Sequence, residues 1–259
     1  MIFGFMFLYV GKAEISEDIE WGVIFSQKQS KLLGLDWKEN YISLLDDYGF
    51  KNIKIITHWD LIERKNNIYS FKDLDWQIEE ASKRNAKILL VVGNCEFPDW
   101  LDINDKTEYL NYLNNFILKY EDNPNIIMWE LGFNDSLLGE FVKENSRKPV
   151  LGLDINSLEI LRNTFWEKLL SPIFFNRISF GKEIIVSELR GQPYGNIYEM
   201  TRDEQEKSMN LNIFKNNIEF AEKTGFDTFY ISGGEWWYLG DQKYWDMGIR
   251  EYLQEVLTE

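Results

Sequence analysis

Short runs of consecutive aliphatic residues alternate along the chain with longer stretches in which apolar positions recur every three or four residues. The first pattern belongs to strands buried on both faces, the second to helices with one buried face. Residues 21–26 (WGVIFS) form the first predicted strand. A helix follows over 36–48, with Trp37, Tyr41, Leu44 and Leu45 on one face and Gly49 to end it. Residues 53–57 (IKIIT) read as the second strand, and 73–84 as the next helix with Asp73 as its N-cap. Residues 86–93 (AKILLVVG) have the continuous aliphatic run of a buried parallel strand. A helix over 106–120 is closed by Asn123-Pro124, and 125–131 (NIIMWEL) is the fourth strand. The fifth is placed at 149–154, the seventh at 183–188 (EIIVSE) and the eighth at 227–232 (DTFYIS), with helices over 211–224 and 243–257.

Strands that alternate with helices imply parallel βα units. At 259 residues the chain is close to the roughly 250 of a (β/α)8 TIM barrel. Residues 20–259 are therefore expected to form one such barrel. The stretch from Asp154 to Glu183 is too short for the helix, strand and helix that a regular barrel places there. The barrel is expected to be incomplete around strand six, with 162–166 or 173–175 as a vestige of that strand. Residues 1–19 stand apart: 2–10 (IFGFMFLYV) are apolar but far short of the ~20 residues that span a bilayer. They read either as the tail of a secretion signal or anchor, with an envelope or extracytoplasmic location, or as a strand plugging the bottom of the barrel.

Composition narrows the chemistry. The net charge of −15, with no basic stripe, disfavours nucleic acid and anionic membrane surfaces as partners and suits a neutral ligand such as a sugar. The 10 Trp, 13 Tyr and 18 Phe permit a carbohydrate site, because sugar C–H faces pack on flat rings, although most must be core. A single cysteine, Cys95, leaves no internal disulfide and no Cys-based zinc site, and a single histidine, His58, does not support a multi-His metal centre. No cofactor or metal is expected, and carboxylates remain as the acid–base groups. A monomer without an integral membrane span is expected.

Active sites of such barrels lie at the C-terminal ends of the strands. Three places offer carboxylates there. Glu188 ends the seventh strand after Ile184, Ile185, Val186 and Ser187, a costly position unless the group is paired or functional, and the loop beyond it carries Tyr194. The fourth strand ends in Trp129-Glu130-Leu131-Gly132-Phe133-Asn134-Asp135. The eighth is followed by Glu235-Trp236-Trp237-Tyr238, either a sugar subsite or an aromatic lid. A retaining glycosidase needs two carboxyl groups roughly 5–5.5 Å apart, which strands four and seven can supply across a barrel mouth.

Several segments together resemble the cellulase-like and β-galactosidase-like barrels of the retaining glycoside hydrolases. These are 21–26, Gly34-Leu35-Asp36-Trp37, His58-Trp59-Asp60, Asp73-Leu74-Asp75-Trp76, 123–129, Ile185-Val186-Ser187-Glu188-Leu189 and Gly234-Glu235-Trp236-Trp237-Tyr238. The resemblance implies a nucleophile on strand seven, at Glu188, and an acid/base on strand four. Aligned without a gap, the acid/base position falls on Asn134, which is no acid; with one inserted residue it falls on Asp135. The family's strand-two arginine is replaced by Lys54, and its strand-eight tryptophan by Ser232. Lys54, His58, Trp59, Trp129, Glu130, Tyr194, Glu235, Trp236 and Trp237 are the expected substrate-binding residues.

Two functions follow as expectations. One is a weakened retaining O-glycosidase acting on an oligosaccharide or glycoside, with Glu188 as nucleophile and Asp135 as acid/base. The other is a catalytically inactive carbohydrate-binding or cell-envelope scaffold on a decayed glycosidase barrel. The loop over 191–209 is expected to form one wall of any cleft.

Overall fold

The computed structural model describes residues 18–93, 97–102, 106–132, 136–151, 156–160, 183–242 and 248–258. Eight parallel strands form one sheet: β1 (Glu20–Ser26), β2 (Asn52–Ile56), β3 (Lys87–Val92), β4 (Ile126–Leu131), β5 (Val150–Leu151), β6 (Asn156–Ile160), β7 (Ile184–Arg190) and β8 (Thr228–Ser232). Their order is β5-β4-β3-β2-β1-β8-β7-β6, with every pair parallel. This is a partial (β/α)8 barrel.

The helices of the first half are α1 (Gln27–Leu32), α2 (Trp37–Asp46), α3 (Trp59–Ile62), α4 (Lys72–Lys83), α5 (Lys106–Tyr120) and α6 (Ser136–Asn145). Those of the second half are α7 (Arg202–Ser208), α8 (Leu211–Glu222), α9 (Gly234–Gln242) and α10 (Ile249–Val256). Local chemistry sets several starts. The Asp36 carboxylate accepts from the N–H groups of Lys38 (2.9 Å) and Glu39 at the head of α2, and Thr201 and Glu204 form a capping box on α7. Asp73 is not the cap expected of it: α4 starts one residue earlier, after Phe71. Its carboxylate instead accepts from Gln27 Nε2 at 2.7 Å.

Alternation along the strands separates two cores. Outward residues such as Val23, Phe25, Ile53, Ile55, Leu90, Trp129 and Leu189 join the large core beneath the helices. Inward residues Ile24, Leu89, Val91, Met128, Leu151, Ile185 and Tyr230 fill the barrel, with Ile56 packed against them. Register stacks the inner residues in layers, as barrel geometry requires. Ile24, Lys54, Leu89 and Met128 align across β1 to β4. One layer nearer the C-terminal mouth lie Ser26, Ile56, Val91, Glu130 and Leu151. Gly22 makes room for the Tyr230 ring inside the barrel, since a Cβ there would sit 2.6 Å from it.

The sixth strand differs from expectation. It lies at Asn156–Ile160, and the proposed vestiges at 162–166 and 173–175 fall outside the described residues. Only residues 152–155 separate β5 from β6, yet β5 pairs with β4 and β6 with β7. A parallel crossover takes about a dozen residues or more, so no helix fits between them. This is where the barrel falls short of the regular plan. The apolar segment 2–10 also lies outside the described residues.

Candidate active site

Lys54 organises the interior below the mouth. It belongs to a layer of Ile24, Leu89 and Met128, and its side chain is only 6% exposed. An ammonium there is costly to bury unless its charge is matched. It rises to the next layer, where Nζ lies 2.9 Å from Oε1 and 2.7 Å from Oε2 of Glu130 on β4. It also donates to the Ser187 carbonyl on β7 at 3.1 Å. One cation thus spans the barrel from strand four to the residue preceding Glu188.

Glu188 sits on an irregular part of β7. Pairing with β8 shifts between Val186 and Leu189, and pairing with β6 shifts at the same level. Such a bulge inserts a residue and re-aims the side chains around it. Val186 and Leu189 both face the outer core, leaving Ser187 and Glu188 between them. Glu188 is half-buried at the C-terminal end of its strand. Beyond it, Arg190 holds its guanidinium 6.0 Å from the Tyr194 ring, which is 70% exposed. The end of β7 is tied to α8 by Asn217 Nδ2 donating to the Arg190 carbonyl at 2.9 Å. Helix α1 and the loop after β7 meet through Gln29 Nε2, which donates to Gln192 Oε1 at 2.8 Å.

A third group joins β1, β2 and α9. Ser26 ends β1 with Oγ 3.0 Å from His58 Nε2, the same hydroxyl capping α1 at the Gln29 N–H. The Ser26 N–H donates to Glu235 Oε1 at 2.5 Å. Glu235 is 2% exposed, and burial pushes its carboxyl up to about 7, opposed by backbone N–H donors. Glu235 holds the end of β1 in place and has no face toward solvent.

The structure therefore divides the residues singled out from sequence. Lys54 and Glu130 meet inside the barrel, and Glu188 and Tyr194 lie on β7 and its following loop at the mouth. Asn134 and Asp135 lie outside the described residues. The four tryptophans expected to bind sugar are all core. Trp59 stacks on Tyr112 at 4.4 Å and donates to Glu63. Trp129 faces outward and donates to Ser146 Oγ. Trp236 donates to Gln205 and Trp237 to the Gly191 carbonyl, and both are 1% exposed or less. A buried indole offers no face to a pyranose. The segment after β8 is not a mouth loop but the helix α9, inserted under the sheet.

Ser26 was not singled out from sequence, although it ends its strand in the inward register. Among the described residues no group of three or more His, Cys, Asp and Glu is placed to hold a metal ion. Nor is any helix there long and apolar enough to cross a membrane.

No protein-family model and no curated protein matches the sequence. Solved structures do match. Xylanase 10B from Thermotoga petrophila RKU-1 superposes with a TM-score of 0.58 at 12% identity, covering 86% of this chain and 85% of the xylanase. A β-galactosidase from the haloarchaeon Halorubrum lacusprofundi gives 0.59 at 10% identity, covering 82% of this chain and 52% of the galactosidase. A family 39 glycoside hydrolase from Bacteroides cellulosilyticus WH2 gives 0.50 at 13% identity, covering 83% and 56%. The chain thus spans little more than half the length of the last two. At these identities the likeness establishes architecture: the chain has the barrel fold shared by these glycoside hydrolases.

Proposed function

We propose that this chain is a retaining glycosidase that hydrolyses O-glycosidic bonds, with Glu188 as nucleophile and Asp135 as acid/base. The observation that carries this reading is the Lys54 ammonium, held between the Glu130 carboxylate and the Ser187 carbonyl. It fixes the inner ends of β4 and β7 to one another directly beside Glu188. Two carboxylates that act on one bond must come from two such strands.

Elimination supports Asp135. Glu130 is already engaged by the buried Lys54 ammonium at 2.7 Å. Glu235 is sealed beneath Ser26. Glu188 as the ionised nucleophile would attack the anomeric carbon, displacing the leaving oxygen as Asp135 protonates it. Asp135, then a carboxylate, would take a proton from the water that releases the glycosyl group from Glu188. Tyr194, with its exposed ring on the loop beyond Glu188, would pack on the sugar. An Asp in place of Glu is one methylene shorter, and a displacement of about 1 Å can lower the rate on the order of 100-fold. A slow enzyme is therefore expected.

Trapping tests the reading. A 2-deoxy-2-fluoro glycoside with a good leaving group slows release more than attack and leaves the sugar bound. Mass spectrometry of the digested protein should then find one added glycosyl group, on the peptide containing Glu188. A label elsewhere, or turnover that persists unchanged in Glu188→Gln, would overturn the assignment.

A further inference from the structure

A cavity of about 340 Å³ lies on the flank of the barrel, between α1, the end of β2, α3 and the first turns of α4. It borders the mouth at Ile56 and His58 on the β2 side, and none of the residues lining it belongs to β4, β7 or β8, where Glu130 and Glu188 stand. Its size falls at the lower end of ligand pockets, about 300–1,000 Å³. That is room for a ligand of monosaccharide size.

The lining is unusual for this chain in two respects. No Trp, Tyr or Phe takes part, although the sequence has 10, 13 and 18 of them, and His58 contributes the one ring in the lining. The wall also carries amides and hydroxyls, among them buried Gln27, Thr57 and Gln77. Gln77 is 3% exposed and its side-chain carbonyl has no hydrogen-bond partner, although its amide nitrogen donates to the Asp73 carbonyl. A buried carbonyl without a donor is costly, and a ligand hydroxyl is a group that could complete it.

Charge supplies the second observation. Arg64 and Lys72 both line the cavity, and among the described residues neither forms an ion pair, in a chain of net charge −15. The single carboxylate in the lining, Asp73, accepts the Gln27 amide at 2.7 Å. The balance in the cavity is thus positive where the molecule as a whole is strongly negative. A guanidinium offers a planar fork to a carboxylate or phosphate, and a neighbouring ammonium adds a point charge.

We infer that this flank cavity binds an anionic monosaccharide, a sugar acid or sugar phosphate, with its charged group at Arg64 and Lys72 and its hydroxyls toward Gln27 and Gln77. The site goes beyond hydrolysis at the mouth and does not require it.

Isothermal titration of the whole chain with glucuronate, glucose 6-phosphate, glucose and inorganic phosphate tests the inference. At least one anionic sugar should bind about tenfold or more tighter than both glucose and inorganic phosphate. Arg64→Ala and Lys72→Ala, both at exposed positions, should each weaken that binding about tenfold. Glu188→Gln, which removes the proposed nucleophile, should leave it in place. Equal binding of glucose or of phosphate alone would overturn the inference, as would no binding by either anionic sugar. So would an affinity unchanged in both cation variants, or one lost in Glu188→Gln, which would put the ligand at the mouth instead.

Discussion

A lysine inside a barrel is tolerated only when its charge is matched, and Lys54 matches it twice, with the Glu130 carboxylate and the Ser187 carbonyl. Lys54→Met should strand both partners and lower stability by about 3 kcal/mol, the lower end for a buried pair because Glu130 is 22% exposed. The double variant Lys54→Met/Glu130→Leu should recover most of that loss, as read by urea denaturation. Glu235 gives a second prediction with a defined sign. Its carboxyl titrates at about 7 in the fold against 4.5 in the reference state, so the folded chain binds more protons between those values. Stability should therefore fall as pH rises from about 4.5 to about 7 and level off above. Glu235→Gln keeps an acceptor for the Ser26 N–H and should remove this fall, gaining on the order of 1–3 kcal/mol at pH 8 relative to the parent. A parent and variant with parallel pH profiles would contradict the burial argument. At this scale the position of Glu188 was legible, because a carboxylate near the end of a buried strand stands out. Glu235 was not, because its burial depends on a helix packing under β1 that no local pattern announces.

Element by element, sequence and structure agree wherever periodicity is strong. The β3 run of Lys87–Val92 and the amphipathic α4 and α8 lie close to where alternation and helical spacing place them. Disagreement concentrates where a segment is short or aromatic. The Trp236-Trp237 pair follows a strand and a Gly-Gly step, which reads as a loop, whereas the chain turns at Gly233 (φ 116°) and enters α9 at once. Trp237 then lies against Phe50, Tyr48 and Phe214. Gly191 permits this approach, since a Cβ there would come within 2.8 Å of the indole. Trp237→Phe should cost about 1–2 kcal/mol through the lost bond to the Gly191 carbonyl, with KM for a glycoside unchanged. A raised KM with intact stability would return this residue to the sugar site. The sixth strand escaped detection for a different reason. Asn156–Ile160 follows β5 after only four residues, 152–155, and barrel logic demands a helix there.

At the scale of the molecule, length and strand–helix alternation were enough to indicate the barrel, because few folds satisfy a repeated parallel βα pattern over 259 residues. Function was legible only as a resemblance, since the same barrel hosts many chemistries and the decisive residues are few. Structure adds that β4 and β7 are joined by a lysine next to Glu188, and that Trp59, Trp129, Trp236 and Trp237 are buried in the core. The mechanism makes a stereochemical statement that no fold comparison can make. Proton NMR of the anomeric region during the first minutes of cleavage of an aryl β-glycoside tests it directly. The account predicts that the β-anomer of the sugar appears first and only later mutarotates, with no product from Glu188→Gln. First appearance of the α-anomer, or an unchanged rate in Glu188→Gln, would contradict it.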